Sequence, residues 1–193
     1  MRKAAGLWIV VGVFVAGSWI LAQETPPPAE PKSKLIMGFE NEGELAGIEF
    51  IGDPGREFVA DKKYVTEGQA ALKLKGKKGT DTGIEFPPTV RGKCLTGWEK
   101  YDLLVVDVHN LTDKDLSLSF RLDDDKSKDY ASRARFAKTL RPGANAVKIP
   151  LKGLTRNGGG DFNVAGLRRF IGHFGSPTDD FEVVFDNMRL EKE

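Results

Sequence analysis

From Leu35 onward, apolar residues recur at every second position more often than at a helical spacing, which predicts strands. Residues 70–75 alternate, with Ala71 (or Leu72) and Leu74 facing inward. The run at 101–108 (YDLLVVDV) is nearly continuous in apolar residues, as expected of a strand covered on both faces. At 116–122 (LSLSFRL) the alternation is clean: Leu116, Leu118, Phe120 and Leu122 point one way, and Ser117, Ser119 and Arg121 the other. Residues 145–151 and 181–190 repeat the theme. Turn signals separate these runs at 53–55 (DPG), 67–68, 110–114, 141–143 (RPG) and 157–160. Only 164–169 has room for a helical turn. Many short strands joined by such turns predict an all-β fold, a two-sheet antiparallel sandwich over residues 35–193.

The N-terminus breaks this pattern. Arg2 and Lys3 precede an apolar run from Ala4 to Ala22 that carries no charge, which predicts a signal peptide or an N-terminal anchor over residues 1–22. No cysteine follows the run, so a lipid anchor on cysteine is excluded. Residues 23–34 are rich in proline and charge and predict an extended, solvated linker. Either form of the leader delivers the domain across a membrane, to a secreted, periplasmic or cell-envelope location.

Composition narrows the function classes. The chain has 193 residues, 40% hydrophobic and 30% charged, which suits a folded domain with a real core. Without Arg2 and Lys3 the 29 basic residues fall to 27 against 28 acids, a near-neutral balance that argues against nucleic acid as a partner. Cys94 is the single cysteine, so no internal disulfide is available, and a buried, inert thiol is expected. His109 and His173 are the only histidines and have no metal-ligand spacing, and no nucleophile motif accompanies them. Asp123, Asp124 and Glu85 could supply paired acids in principle, but nothing marks two of them as a pair. The expectation is a binding module, not an enzyme.

A longer motif order carries a family resemblance. Phe39-Glu40 is followed by VTEGQAALKL (65–74), Trp98 with Tyr101-Asp102, RLDD (121–124), DYxxR (129–133), LxPGxNxVxIPL (140–151) and FDNMRL (185–190). The chain resembles the jelly-roll carbohydrate-binding modules of the galactose-binding-like superfamily, over nearly all of residues 35–193. The resemblance implies a jelly-roll β-sandwich and non-catalytic binding of a polysaccharide or oligosaccharide. Related sandwich domains assist protein assembly, so an interaction module of the cell envelope with a protein partner is the competing expectation. The resemblance also implies a structural Ca2+, with ligands drawn from Glu40, the loop of Thr66, Gly68 and Gln69, and Asp186.

Alternation places a set of polar residues on one side of the later strands. Arg121, Asp123, Arg133, Arg135, Arg169 and His173 are the candidates, with Asp124 in the adjoining acidic run. Arg and Asp make bidentate hydrogen bonds to neighbouring sugar hydroxyls, and Tyr130 offers a ring on which a pyranose stacks. The competing expectation is that these charges only solvate an outer face. Four arginines point to acidic sugars such as uronates or sulfated galactans. Trp8 and Trp19 lie in the leader and Trp98 is expected at the core edge, so few aromatics remain for a flat platform.

Overall fold

A computed structural model describes residues 31–193 of the chain. The expected leader and most of the linker lie outside the described residues. Pro31–Glu193 forms one compact unit, and no helix in it is long and apolar enough to cross a membrane.

Two antiparallel sheets make the domain, as the alternation predicts. The first contains β3 (Gly55–Val59), β4 (Ala71–Gly76), β11 (Phe181–Glu191), β6 (Leu103–Asn110) and β9 (Gly143–Pro150) in that order. β1 (Ser33–Met37) joins it by pairing with the second half of β11, beyond the stretch that pairs with β4. The second sheet has the order β2 (Glu49–Ile51), β5 (Thr82–Phe86), β10 (Leu167–Phe174), β7 (Leu116–Asp124) and β8 (Ala134–Leu140). The apolar run at 101–108 becomes β6, between β11 and β9; Leu104, Val106 and Val108 enter the core, and Val105 on the other side is buried too. The helical turn expected at 164–169 is one short 3-10 turn, Val164–Gly166, and the chain passes straight from it into β10.

The core lies between the sheets and is aromatic. Phe170 of β10 contacts Phe86, Phe120 and Trp98, with ring centroids 5.6–5.8 Å apart. Gly172 follows on the same inward side, where a Cβ would sit 3.3 Å from the Phe120 ring, so glycine lets that ring lie against the strand. Phe174 continues the stripe against Phe181, at 4.6 Å. Trp98 is not at the edge but fully buried, and its indole N–H donates to the Cys94 carbonyl at 2.7 Å. Buried aromatic side chains each remove roughly 150–250 Å² from water, and Phe174 carries the stripe across to Phe181 and Phe185 of the first sheet. Cys94 is buried, and burial pushes its thiol up, away from the reactive thiolate.

Inward Phe170, Gly172 and Phe174 leave Arg169, Ile171 and His173 on the opposite side of β10. The same alternation turns Ser119, Arg121 and Asp123 of β7 outward, opposite inward Leu118, Phe120 and Leu122. The second sheet therefore has one polar outer face.

Candidate functional site

That outer face is built from four strands in register. Arg169 of β10 stands opposite Asp123 of β7, and Ile171 opposite Arg121. On the other flank Ile171 stands opposite Glu85 of β5, and Arg121 stands opposite Arg135 of β8. Cross-strand partners are the nearest side-chain neighbours on a sheet, so these residues form one patch.

The patch is a ladder of alternating charge. Arg121 donates to both oxygens of Asp123, Nε to Oδ1 at 2.9 Å and Nη2 to Oδ2 at 2.6 Å. This bond lifts the Arg121 guanidinium above its ordinary value, against the opposing effect of burial. Asp123 also lies 3.9 Å from Arg169 Nη1, and Arg169 Nε sits 2.9 Å from Glu85 Oε1. The Arg169 Nε contact is an ion pair out of line for a hydrogen bond, so this buried nitrogen keeps an unused N–H. Ile171, between Glu85 and Arg121, is only 7% exposed although it faces outward. His173, next along β10, has a buried Nδ1 with no hydrogen-bond partner. Burial lowers its pKa; Asp81 opposes this, and Arg135 and Arg121 add to it.

At one edge of the face stands Tyr130, 60% exposed, on the loop between β7 and β8. The Arg135 guanidinium lies 5.3 Å from its ring centroid and that of Arg133 lies 5.8 Å away. Seven of the eight sequence-predicted ligand residues thus collect here: Arg121, Asp123, Arg169 and His173 on the sheet, Tyr130, Arg133 and Arg135 at its rim.

Asp124 is the exception. It shares the inward parity of Leu122, is 0% exposed, and serves a buried knot instead of the face. Arg156 grips both its oxygens, through Nη1 at 3.1 Å and through Nη2. Ser127 Oγ donates at 2.9 Å and the amides of Lys126 and Asn163 at 3.0 Å. Burial pushes this carboxyl upward, but these donors outweigh it and hold it below the usual carboxylate range. Arg156 also donates to the Ser132 carbonyl, and Asn157 Nδ2 to the Tyr130 carbonyl at 2.9 Å, so the knot fixes the loop that presents Tyr130. Sequence reading missed Arg156 and gave Glu85 no place on the face. The alternation of Ile84, Glu85 and Phe86 was the available signal for Glu85; nothing local marks Arg156.

The residues tied to calcium by resemblance also meet in space, along β11 where its pairing passes from β4 to β1. Asp186 Oδ2 accepts from the amide and hydroxyl of Thr66 and from the Glu67 amide, the last two at 3.0 Å. Glu40 Oε2 accepts the Gln69 and Ala70 amides, each at 3.0 Å. Gly68, at φ +67°, passes so close to the Glu40 carboxylate that any Cβ would collide with it. Phe39 and Asn187, the neighbours of the two acids, hold the left-handed backbone region at φ 60° and 48°. Neither Glu40 nor Asp186 has a Lys or Arg partner among the described residues. Burial pushes Asp186 above its ordinary value, with the Thr66, Glu67 and Asn187 donors opposing. Two uncompensated carboxylates beside a backbone loop fit a hard cation in kind. No three carboxylate, imidazole or thiol groups converge among the described residues, so loop carbonyls would have to complete the shell.

No protein-family model matches the sequence, and no curated protein matches it. Solved structures do, through their shape. A family 11 carbohydrate-binding module from Clostridium thermocellum, in complex with a β-1,3-1,4-mixed-linked tetrasaccharide, superposes with a TM-score of 0.60 over 85% of this chain and 98% of its own. The fold is that of a carbohydrate-binding-module jelly roll. This jelly roll is also shared with a family 61 module in complex with β-1,4-galactotriose, at a TM-score of 0.51 over 82% of this chain and 99% of that one. An exo-β-agarase matches at a TM-score of 0.65 over 82% of this chain but only 25% of its own, so the chain spans a quarter of that enzyme's length. Identities are 12%, 12% and 15%, so the likeness is one of fold.

Proposed function

We propose that this jelly roll is an exported, non-catalytic module that binds oligosaccharide or polysaccharide, with a preference for acidic sugars, on the outer face of its second sheet. The observation that carries the reading is the ladder Arg121, Asp123, Arg169 and Glu85, fixed by its own ion pairs on a rigid sheet beside the exposed Tyr130 ring. Preset donors and acceptors of this kind match the neighbouring hydroxyls of a sugar without an ordering cost on binding. Shared fold with modules seen in complex with a tetrasaccharide and a galactotriose supports the same reading. Glu85 and Asp123 are each already bound by a guanidinium, an arrangement for positioning hydroxyls. The basic start and uncharged apolar run of residues 1–22 support export.

Affinity electrophoresis against a panel of neutral and acidic polysaccharides tests this. Retention by one class is expected, with retention lost in Tyr130→Ala while its melting temperature stays unchanged. A folded protein retarded by no glycan would sink the reading and turn attention to a protein partner.

Calcium belongs to the same proposal, as a structural ion held by Glu40, the Thr66–Gln69 loop and Asp186. A cation that binds only the folded chain, at a hundred times its Kd, stabilises by about 2.7 kcal/mol. Calcium is therefore expected to raise the melting temperature by roughly 5–10 °C over the chelated protein. Asp186→Asn should erase that difference. A melting temperature indifferent to calcium and chelator would remove the ion from the account.

A further inference from the structure

The arginines of the candidate face are not equivalent. Arg121 is spent on Asp123, and Arg169 on Glu85 with Asp123 close by. Two guanidiniums and two carboxylates leave the ladder without net charge. At the rim the balance differs. Arg133 Nε donates to the Asp129 carbonyl at 3.0 Å, and its charge is partly offset by the Asp129 carboxylate, whose Oδ1 is itself held by Ser132. Arg135 has no carboxylate partner among the described residues; its guanidinium lies over the Tyr130 ring. Moreover, Arg135 stands directly opposite Arg121 across β7 and β8. Like charges in that relation repel. The sheet thus keeps an uncompensated cation at one corner, beside an exposed aromatic ring, at the end of a neutral ladder.

We propose that the site is divided: the neutral ladder takes the hydroxyls of an uncharged sugar ring, and Arg135, backed by Tyr130 and Arg133, takes an anionic substituent on a neighbouring ring. This rests on the glycan reading above and assigns its charge preference to one residue. A carboxylate or a sulfate ester presents the same chemistry, oxygens that accept charge-assisted N–H donors. Arg121 and Arg169, in contrast, act as positioned donors to hydroxyls, whatever the charge of the ligand.

The test is calorimetric titration of the purified protein with three probes: β-1,4-galactotetraose, a sulfated galactotetraose and a tetragalacturonate. The wild type is expected to prefer one or both anionic probes by about tenfold at low salt, the worth of a charged hydrogen bond. That ratio should shrink as NaCl is raised. Arg135→Ala should bring the ratio close to one while binding of the neutral probe survives, and Arg135→Lys should restore part of it. Arg121→Ala should weaken neutral and anionic probes alike. Sulfated ligand preferred over uronate, or the reverse, identifies which group the corner takes. Equal wild-type affinity for all three probes would overturn the division together with the acidic-sugar preference, leaving only glycan binding itself; a preference unchanged in Arg135→Ala would overturn the division alone. Failure of every probe and of the polysaccharide panel would overturn both.

Discussion

Replacing Asp124 with alanine is expected to cost about 3–5 kcal/mol of stability and to lower the melting temperature by roughly 10 °C. The carboxylate is fully buried and is held by Arg156, Ser127 and the amides of Lys126 and Asn163. Truncation leaves the Arg156 guanidinium, itself mostly buried, without its counter-charge. The unpaired cation accounts for most of the cost. Arg156→Ala should be similarly damaging, and the double variant should cost less than the two singles added together, because each single strands the other's charge. Urea and thermal unfolding give these values; a loss below about 1 kcal/mol for Asp124→Ala would show the knot to be dispensable. The carboxyl is held below its ordinary value. Its contribution is therefore fully present above the unfolded-state value near 4 and is lost as the pH falls through the lower folded value. In Asp124→Ala that part of the acid sensitivity should be absent.

The second large effect concerns the ladder. Asp123→Ala is expected to weaken binding of the best glycan by roughly tenfold to a hundredfold, the worth of one or two hydrogen bonds to a charged group. Asp123 is the shared member: it receives both arms of Arg121 and lies within ion-pair range of Arg169. Without it the Arg121 guanidinium loses its fixed direction, Arg169 keeps only its Glu85 partner, and the face becomes cationic. Neutral ligands should suffer most, and anionic ligands should be partly spared by the new positive charge. Titration of the variant against neutral and sulfated galactotetraose checks this. A uniform loss for both, with the fold intact, would show that Asp123 acts through its own ligand contacts and not through the arginines.

Alternation made much of this face legible in advance. LSLSFRL fixes the phase of β7, and with it the outward direction of Arg121 and Asp123. The same phase, carried on through β7, places Asp124 inward beside Leu122 and out of the ligand set to which the acidic run assigns it. Other parts had a weak local signal or none. Glu85 sits on a strand of only five residues, too short for a period to stand out. Its pairing with Arg169 depends on β5 and β10 being neighbours in the sheet although they are distant in sequence. Arg156 lies in a loop and finds Asp124 only in three dimensions. In β11 the shift between Asp186 and Arg189 breaks the simple period. That bulge keeps Phe185 and Met188 both in the core, where strict alternation would have sent one of them outward.

The pairing of β1 with the end of β11 also governs how the domain meets mechanical load. Ser33 lies opposite Glu191, and the Lys192 amide bonds the Lys32 carbonyl at 2.8 Å, so the two ends of the folded unit leave side by side. A unit with adjacent ends can be spliced into a loop of another protein with little distortion of the host. Tension applied between those ends pulls across the strands, and the bonds of the β1–β11 ladder would open one after another, as in a zipper, instead of resisting together in shear. The domain is thus built to yield first at its own entrance, on the first sheet, while the polar face on the second sheet keeps its shape.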